Sequence, residues 1–163
     1  MADMGTSGAF MKIGMIEGES QDKAHDKWVE IQSMTSAISR SVGAIRAQGQ
    51  TTLGDVCVVR YLDKSSPKLS EACANGTLYD EVQIDFTSQI KDKNEPYLTY
   101  KLKNVIVTGY TLRCVGDITE KATEEVMLNF TDVEWTYMVW DKKTFKKVGP
   151  VAGKYVPMKG ATA

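Results

Sequence analysis

The sequence is short of the side chains on which most enzymatic chemistry is built. His25 is the one histidine, and the three cysteines, Cys57, Cys73 and Cys114, stand far apart with no Cys-x-x-Cys spacing. One His and scattered Cys cannot assemble a tetrahedral zinc site from its usual ligand spacings. The odd cysteine count and the apolar neighbours predict instead buried, reduced thiols that assembly does not need. No Gly-x-Gly-x-x-Gly or Walker-type stretch is present, so nucleotide binding has no support. An excess of either charge is missing too. Twenty basic residues face twenty-one acidic ones, for a net charge of −1 and no clustered basic stripe. That balance excludes a protein that neutralises many phosphates, and no nucleic-acid partner is expected. Long hydrophobic runs are also lacking. The run nearest the N-terminus, Ala9 to Ile16, is broken by Lys12 and Gly14 and falls far short of the ~20 residues that cross a bilayer. No basic start, apolar core and cleavage site precede it. Neither membrane insertion nor a cleavable signal peptide is expected.

The remaining polar residues make no convincing catalytic set. Ser20, Asp22 and His25 would form a triad on paper, but they crowd into one exposed-looking turn without a nucleophile elbow. Hydrogen bonds from nearby backbone N–H groups to Asp22 and Ser20, fixing the turn, are the expected use of these side chains. Glu124 and Glu125 are adjacent on an expected strand and would point to opposite faces. No catalytic, cofactor-binding or metal-binding residue is predicted, and the chain is not expected to be an enzyme.

What the sequence does contain is alternation. Its 163 residues, 42% of them hydrophobic, suit a single soluble domain. Val82, Ile84 and Phe86 alternate with polar neighbours, as do Leu98, Tyr100 and Leu102, and then Val126, Leu128 and Phe130. This is the period of half-buried strands. Further strands are expected at 10–16, 27–35, 56–62, 110–115 and 133–140. Two runs change phase, from 98, 100, 102 to 105, 107 and from 126, 128, 130 to 133, 135, 137. Such a slip turns side chains to the other face unless a bulge absorbs it. Bulged, bent strands favour a barrel over a flat sandwich.

One short helix is predicted over about 66–75. Ser65 or Ser66 can cap it, Pro67 suits its first turn and Gly76 its end, while Leu69, Ala72 and Cys73 share a narrow apolar face. The longest irregular segment, about 36–54, holds Gly43, Gly49 and Gly54, and carries Arg40 and Arg46 without an acidic residue. It is expected to project as an arm. Flexible ends are expected at 1–8 and about 156–163, with a hairpin beyond Lys142.

Four segments, in order and with matching gaps, carry a family resemblance. They are Gly18-Glu19-Ser20-Gln21-Asp22-Lys23-Ala24-His25 running to Ile31, and Asp63-Lys64-Ser65-Ser66-Pro67-Lys68-Leu69 with Ala72-Cys73, Gly76 and Glu81-Val82-Gln83-Ile84. The others are Tyr97 to Val105, and Glu125 to Phe130. Together they resemble the haemolysin-coregulated protein (Hcp) family, the tube subunit of bacterial type VI secretion, over about 10–140. The resemblance implies a single two-sheet β-barrel domain with one helix, forming homo-hexameric rings that stack into an exported tube. It implies assembly in the bacterial cytoplasm, secretion without a cleavable leader, and partners among spike protein, contractile sheath and small effector proteins held in the lumen. One departure is that many members carry tryptophan after the second strand, where this chain has Met34-Thr35-Ser36-Ala37.

Within that frame the basic arm, through Arg40 and Arg46, is expected to stack on acidic groups of the next ring, with Asp117 and Glu120 as candidate acceptors. A wide channel is water-filled, so its lining should be polar. Glu30 and Gln32, opposite Val29 and Ile31 on the second strand, are the candidate effector contacts, although a solvated outer face fits the same pattern. A monomeric β-barrel binding a small apolar ligand is the alternative reading.

Overall fold

The alternating segments pair into one continuous antiparallel ladder. The computed structural model describes residues 8–46, 49–117 and 119–157. Strands β1 (Ala9–Ile13), β2 (Val29–Ile31), β3 (Ser33–Thr35), β4 (Ile38–Arg40), β5 (Thr51–Leu53) and β6 (Val56–Tyr61) precede helix α1 (Ser66–Asn75). Then come β7 (Leu78–Ile90), β8 (Lys93–Arg113), β9 (Thr123–Asn129), β10 (Asp132–Trp140) and β11 (Lys147–Tyr155). The ladder runs β2-β1-β7-β8-β9-β6-β3, with β10 and β11 added beside β8, while β4 and β5 form a separate hairpin.

The first and last strands of that order are neighbours in the chain. β2 pairs with β1 and β3 with β6, and the Gln32 N–H between them donates to the Val59 carbonyl at 2.8 Å. What the alternation presents as one strand over 27–35 is therefore two short ones, split where the chain leaves one sheet for the other. Through this crossing the ladder returns on itself as a barrel.

Both phase changes meet at a single corner. β8 pairs with β10 through 98–103 and with β9 through 106–113. Between the two, Asn104 takes φ 52°, a left-handed conformation that asparagine tolerates better than most residues. Its side-chain amide donates to Thr131 Oγ1 at 2.8 Å, and the Thr131 N–H donates to the Lys103 carbonyl at 3.0 Å. The second change, between Phe130 and Val133, is the facing link from β9 to β10. Past this corner the β10–β11 hairpin extends one sheet beyond the barrel.

The interior is filled by side chains: Val56, Val58, Ile84, Leu102, Val126 and Leu128 are fully buried. α1 adds Leu69 and Ala72 to the same core. The helix begins and ends where expected, with Pro67 in its first turn and Gly76 at φ 61°. Its cap differs. Ser65 makes no capping bond, because its hydroxyl donates to Asp63.

Three further expectations need correction. β1 stops at Ile13 rather than reaching Ile16, because Gly14 turns the chain at φ 51°. The cysteines are not all buried: Cys57 and Cys73 are half-buried and Cys114 is exposed, since it follows the last paired residue of β8. The end expected to be flexible over 1–8 includes Gly8, whose N–H donates to Thr87 Oγ1 at 3.1 Å and whose carbonyl accepts from the Thr87 N–H at 2.8 Å. Residues 1–7 and 158–163 of the two expected flexible ends lie outside the described residues. Among the described residues no helix is long and apolar enough to cross a membrane.

Candidate assembly surfaces

The arm is ordered from within. β3 continues through Ala37 into β4, the hairpin turns, and β5 returns to β6. Gly54 N–H closes its base on the Ala37 carbonyl at 2.9 Å. Near its tip a Cβ on Gly49 would sit 1.8 Å from the Ser41 carbonyl oxygen, so only glycine fits between the two legs. Arg40 and Arg46 are both exposed on this arm, Arg40 donating to Thr51 Oγ1 at 3.0 Å. Ile38, Val42 and Ile45 are also exposed there.

Asp117 and Glu120 lie at the other end of the molecule. Their loop follows β8 and meets the far end of β6, where the Leu62 N–H donates to the Ala122 carbonyl at 3.0 Å. Val56 to Tyr61 separate the arm's base from that loop by roughly 17 Å of strand. Both acids are exposed, and Asp117 Oδ1 accepts from the Thr119 N–H at 2.9 Å. Ile118, which lies between them in the chain, is outside the described residues. The arm and its candidate acceptor thus do not meet within one protomer.

On β2, Glu30 is exposed between buried Val29 and Ile31, as the alternation requires. Glu30 and Gln32 line one open cavity of about 430 Å³ with Tyr61, Leu62 and Lys121.

Two buried charge networks hold these surfaces in place, and sequence reasoning missed both. Arg60 is 1% exposed. Its guanidinium bonds Glu124, meets Asp63 Oδ1 at 2.6 Å and donates to the Glu30 carbonyl at 3.2 Å. Tyr110 donates to Glu124 Oε2 at 2.6 Å; burial and that bond push the phenol up to about 12. The signal was available, because Arg60 follows Val56 and Val58 in the inward phase and Glu124 precedes Val126 and Leu128 in theirs. Glu125, as expected, points the opposite way.

The second network centres on His25, which is 2% exposed rather than on an open turn. The 18–28 loop folds over the outer face of β1 and β7, so that Phe10 and Asp85, on the strands' outward phase, are buried too. The imidazole stacks on Phe10 at 4.5 Å and meets Trp28 edge-on at 4.8 Å. Gly18 permits the loop's closure, since a Cβ there would lie 2.3 Å from the Trp28 carbonyl oxygen. His25 Nδ1 lies 2.7 Å from Asp22 Oδ1 and Nε2 lies 2.9 Å from Asp85 Oδ2. Ionised carboxylates only accept, so with Asp22 and Asp85 ionised both ring nitrogens donate, an arrangement that favours the imidazolium. Burial alone would lower the His25 pKa, but the hydrogen bonds and charges of Asp85 and Asp22 outweigh it and raise it above the ordinary histidine value. Burial likewise opposes, and His25 overcomes, the ionisation of Asp85 and Asp22, whose pKa values are lowered. With both nitrogens engaged, no base is left for Ser20, so the triad cannot operate. Among the described residues no group of three His, Cys, Asp or Glu is placed to hold a metal ion.

The family model described as "Type VI secretion system effector, Hcp" matches residues 10–137. The chain belongs to the Hcp family. Protein hcp1 of Pseudomonas aeruginosa is 30% identical to it over 146 residues, covering 87% of this chain and 90% of that protein. Among solved structures, a type VI secretion system effector from Yersinia pestis superposes with a TM-score of 0.71 at 27% identity, over 91% of this chain and 99% of the other. Hcp1 from Salmonella typhimurium gives 0.75 at 24% identity, over 93% and 95%. The two-sheet barrel with one helix is thus the Hcp fold, and the protein is a β-rich tube and effector protein of type VI secretion. As an Hcp protein it is a secreted, structural part of a multi-component machine.

Proposed function

We propose that this chain closes into hexameric rings which stack into the exported tube, and that small effector proteins travel in the water-filled channel. It acts as a wall and carrier rather than as an enzyme. It assembles in the cytoplasm, leaves through the secretion machine, and works with the spike protein and contractile sheath. The observation that carries this reading is the polarity of the protomer: a basic arm at one end of β6 and exposed acids at the other. A surface and its complement at opposite ends cannot satisfy each other within one copy, but do so between copies placed head to tail. The exposed apolar residues at both ends, Ile38, Val42 and Ile45 against Tyr61, Leu62 and Val115, point the same way.

Light scattering after size exclusion tests ring closure. Six subunits of 18.0 kDa should give a particle of about 108 kDa, and a clean 18.0 kDa monomer at tens of micromolar would sink the reading. Arg40→Glu with Arg46→Glu should leave that mass unchanged while abolishing stacked tubes in electron micrographs and secretion, because like charges would then face each other. A variant that yields only monomers would move the arm to the contact within the ring.

Glu30 and Gln32 are proposed as cargo contacts through rim-like hydrogen bonds. Their charge-reversed or bulky variants should keep the ring mass and lower the cellular level of a tube-dependent effector several-fold. Unchanged effector levels with normal secretion would place them on the outside of the ring.

A further inference from the structure

The turn between β10 and β11 reads Asp141-Lys142-Lys143-Thr144-Phe145-Lys146, an aromatic surrounded by lysines at the end of a projecting hairpin. Phe145 is 51% exposed and takes φ 53°. The turn is nevertheless held tightly. Asp141 Oδ1 accepts from the Lys143 and Thr144 N–H groups at 2.8 and 2.7 Å. The Asp141 carbonyl accepts from the Phe145 N–H at 2.9 Å, and the Asp141 N–H donates to the Lys146 carbonyl at 2.9 Å. Lys147 is tied to Glu95 at 3.0 Å. Among the described residues, Lys142, Lys143 and Lys146 enter no ion pair. A pre-organised apolar knob among lysines that enter no ion pair loses little entropy on docking and offers positive charge to an acidic partner.

A matching recess lies at the opposite end of the same sheet. Where Gly14 ends β1, Met15 stands 95% exposed beside Leu78 at 57%, over an open cavity of about 730 Å³. Asp80 and Glu81 border this cavity with Glu17, Lys64 and Lys68. The lysines are answered locally, Lys64 by Glu17 at 3.7 Å and Lys68 by Glu71 at 2.8 Å. Asp80 and Glu81 are exposed and enter no ion pair among the described residues. An apolar floor with unanswered negative charge is the complement of the knob.

The knob cannot fill its own recess. Register fixes β10 beside β8, with the knob near the start of β8, and roughly 30 Å of β7 separates Glu81 from that end. We infer that Phe145 and its lysines dock into the Met15–Leu78 recess, against Asp80 and Glu81, of a second copy of this chain. The contact is heterologous and runs along the strand direction, so it repeats from copy to copy without closing. It rests on the reading of the chain as a tube subunit and adds to it a second stacking contact, distinct from the arm.

Cross-linking tests this directly. In a Cys114→Ser background, which removes the exposed thiol, Met15→Cys and Phe145→Cys are combined and the protein is oxidised with diamide. Non-reducing gels should show a ladder of dimer, trimer and higher species. Each variant with only one of the two introduced cysteines should stop at traces of dimer, which also controls for the half-buried Cys57 and Cys73. Adding Lys142→Glu, Lys143→Glu and Lys146→Glu to the protein with both introduced cysteines should remove the ladder. Lys146→Cys serves in place of Phe145→Cys if circular dichroism shows the latter misfolded. No ladder, from a protein whose reduced form still has the ring mass, would overturn this contact and leave the ring reading standing. A ladder from a protein that is monomeric when reduced would overturn the ring reading and uphold the contact.

Discussion

Arg60→Met should lower the free energy of unfolding by about 3–5 kcal/mol, the usual cost of removing one partner from a buried ion pair. The guanidinium is the cation for both Glu124 and Asp63. Methionine fills much of the volume but leaves two carboxylates facing each other beneath Tyr110. Arg60 also donates to the Glu30 carbonyl, so its loss loosens the strand that crosses between sheets. Urea unfolding at fixed protein concentration measures the effect, because the proposed ring would make apparent stability depend on concentration. Adding Glu124→Leu should recover part of the loss, as apolar replacement of a buried pair often does. A loss below about 1 kcal/mol in the single variant, the range of an exposed ion pair, would mean that water reaches the network and that it does not organise the barrel.

The second large effect concerns His25, and its sign depends on pH. His25 has a raised pKa in the folded state. Its contribution is therefore fully present below the ordinary value of 6.5 and is lost as pH climbs through the raised folded value. Asp22 and Asp85 have lowered values. Theirs is present above the ordinary 3.8 and is lost as pH falls through the lowered ones. Stability should accordingly pass through a plateau between pH 3.8 and 6.5 and decline on both sides. His25→Phe keeps an aromatic against Phe10 but abandons the buried Asp85 and the half-buried Asp22. It should cost roughly 3 kcal/mol near pH 6 and, more tellingly, erase the alkaline decline. Thermal unfolding from pH 4 to 9 reads both. If the variant keeps the wild-type pH profile above pH 6.5, His25 is not the titrating group.

The two networks do related work at different depths. Arg60 ties β6, β9 and the start of α1 together inside the barrel, whereas His25 pins the 18–28 loop to the outside of β7. Between them they set the position of β2, with exposed Glu30 on it and Gln32 just after it. Fixed surfaces matter for a subunit that repeats, since any looseness in one copy is added at every interface. The histidine and its acids resemble a catalytic set, but the ring is buried and both of its nitrogens are already bonded to carboxylates.

Local pattern by itself determined a large part of this protein. Period-two alternation placed the strands, proline and glycine bounded the helix at 66 and 75, and the two phase changes announced a bent, closing ladder. These are short-range properties, written in the order of apolar and polar residues. Ordered motifs over 10–140 carried the family as well. Tertiary structure alone decided that both phase changes form one corner at Asn104 and Thr131, and that the 27–35 run divides at Gln32 to close the barrel. It alone buried His25, Phe10 and Asp85, because the pattern of one strand cannot reveal that a distant loop will cover its outward face. It alone set the arm and Phe145 apart from the acids proposed to meet them in another copy. Such placements depend on which strands pair and in what register, and pairing is an energy shared between segments far apart in the chain.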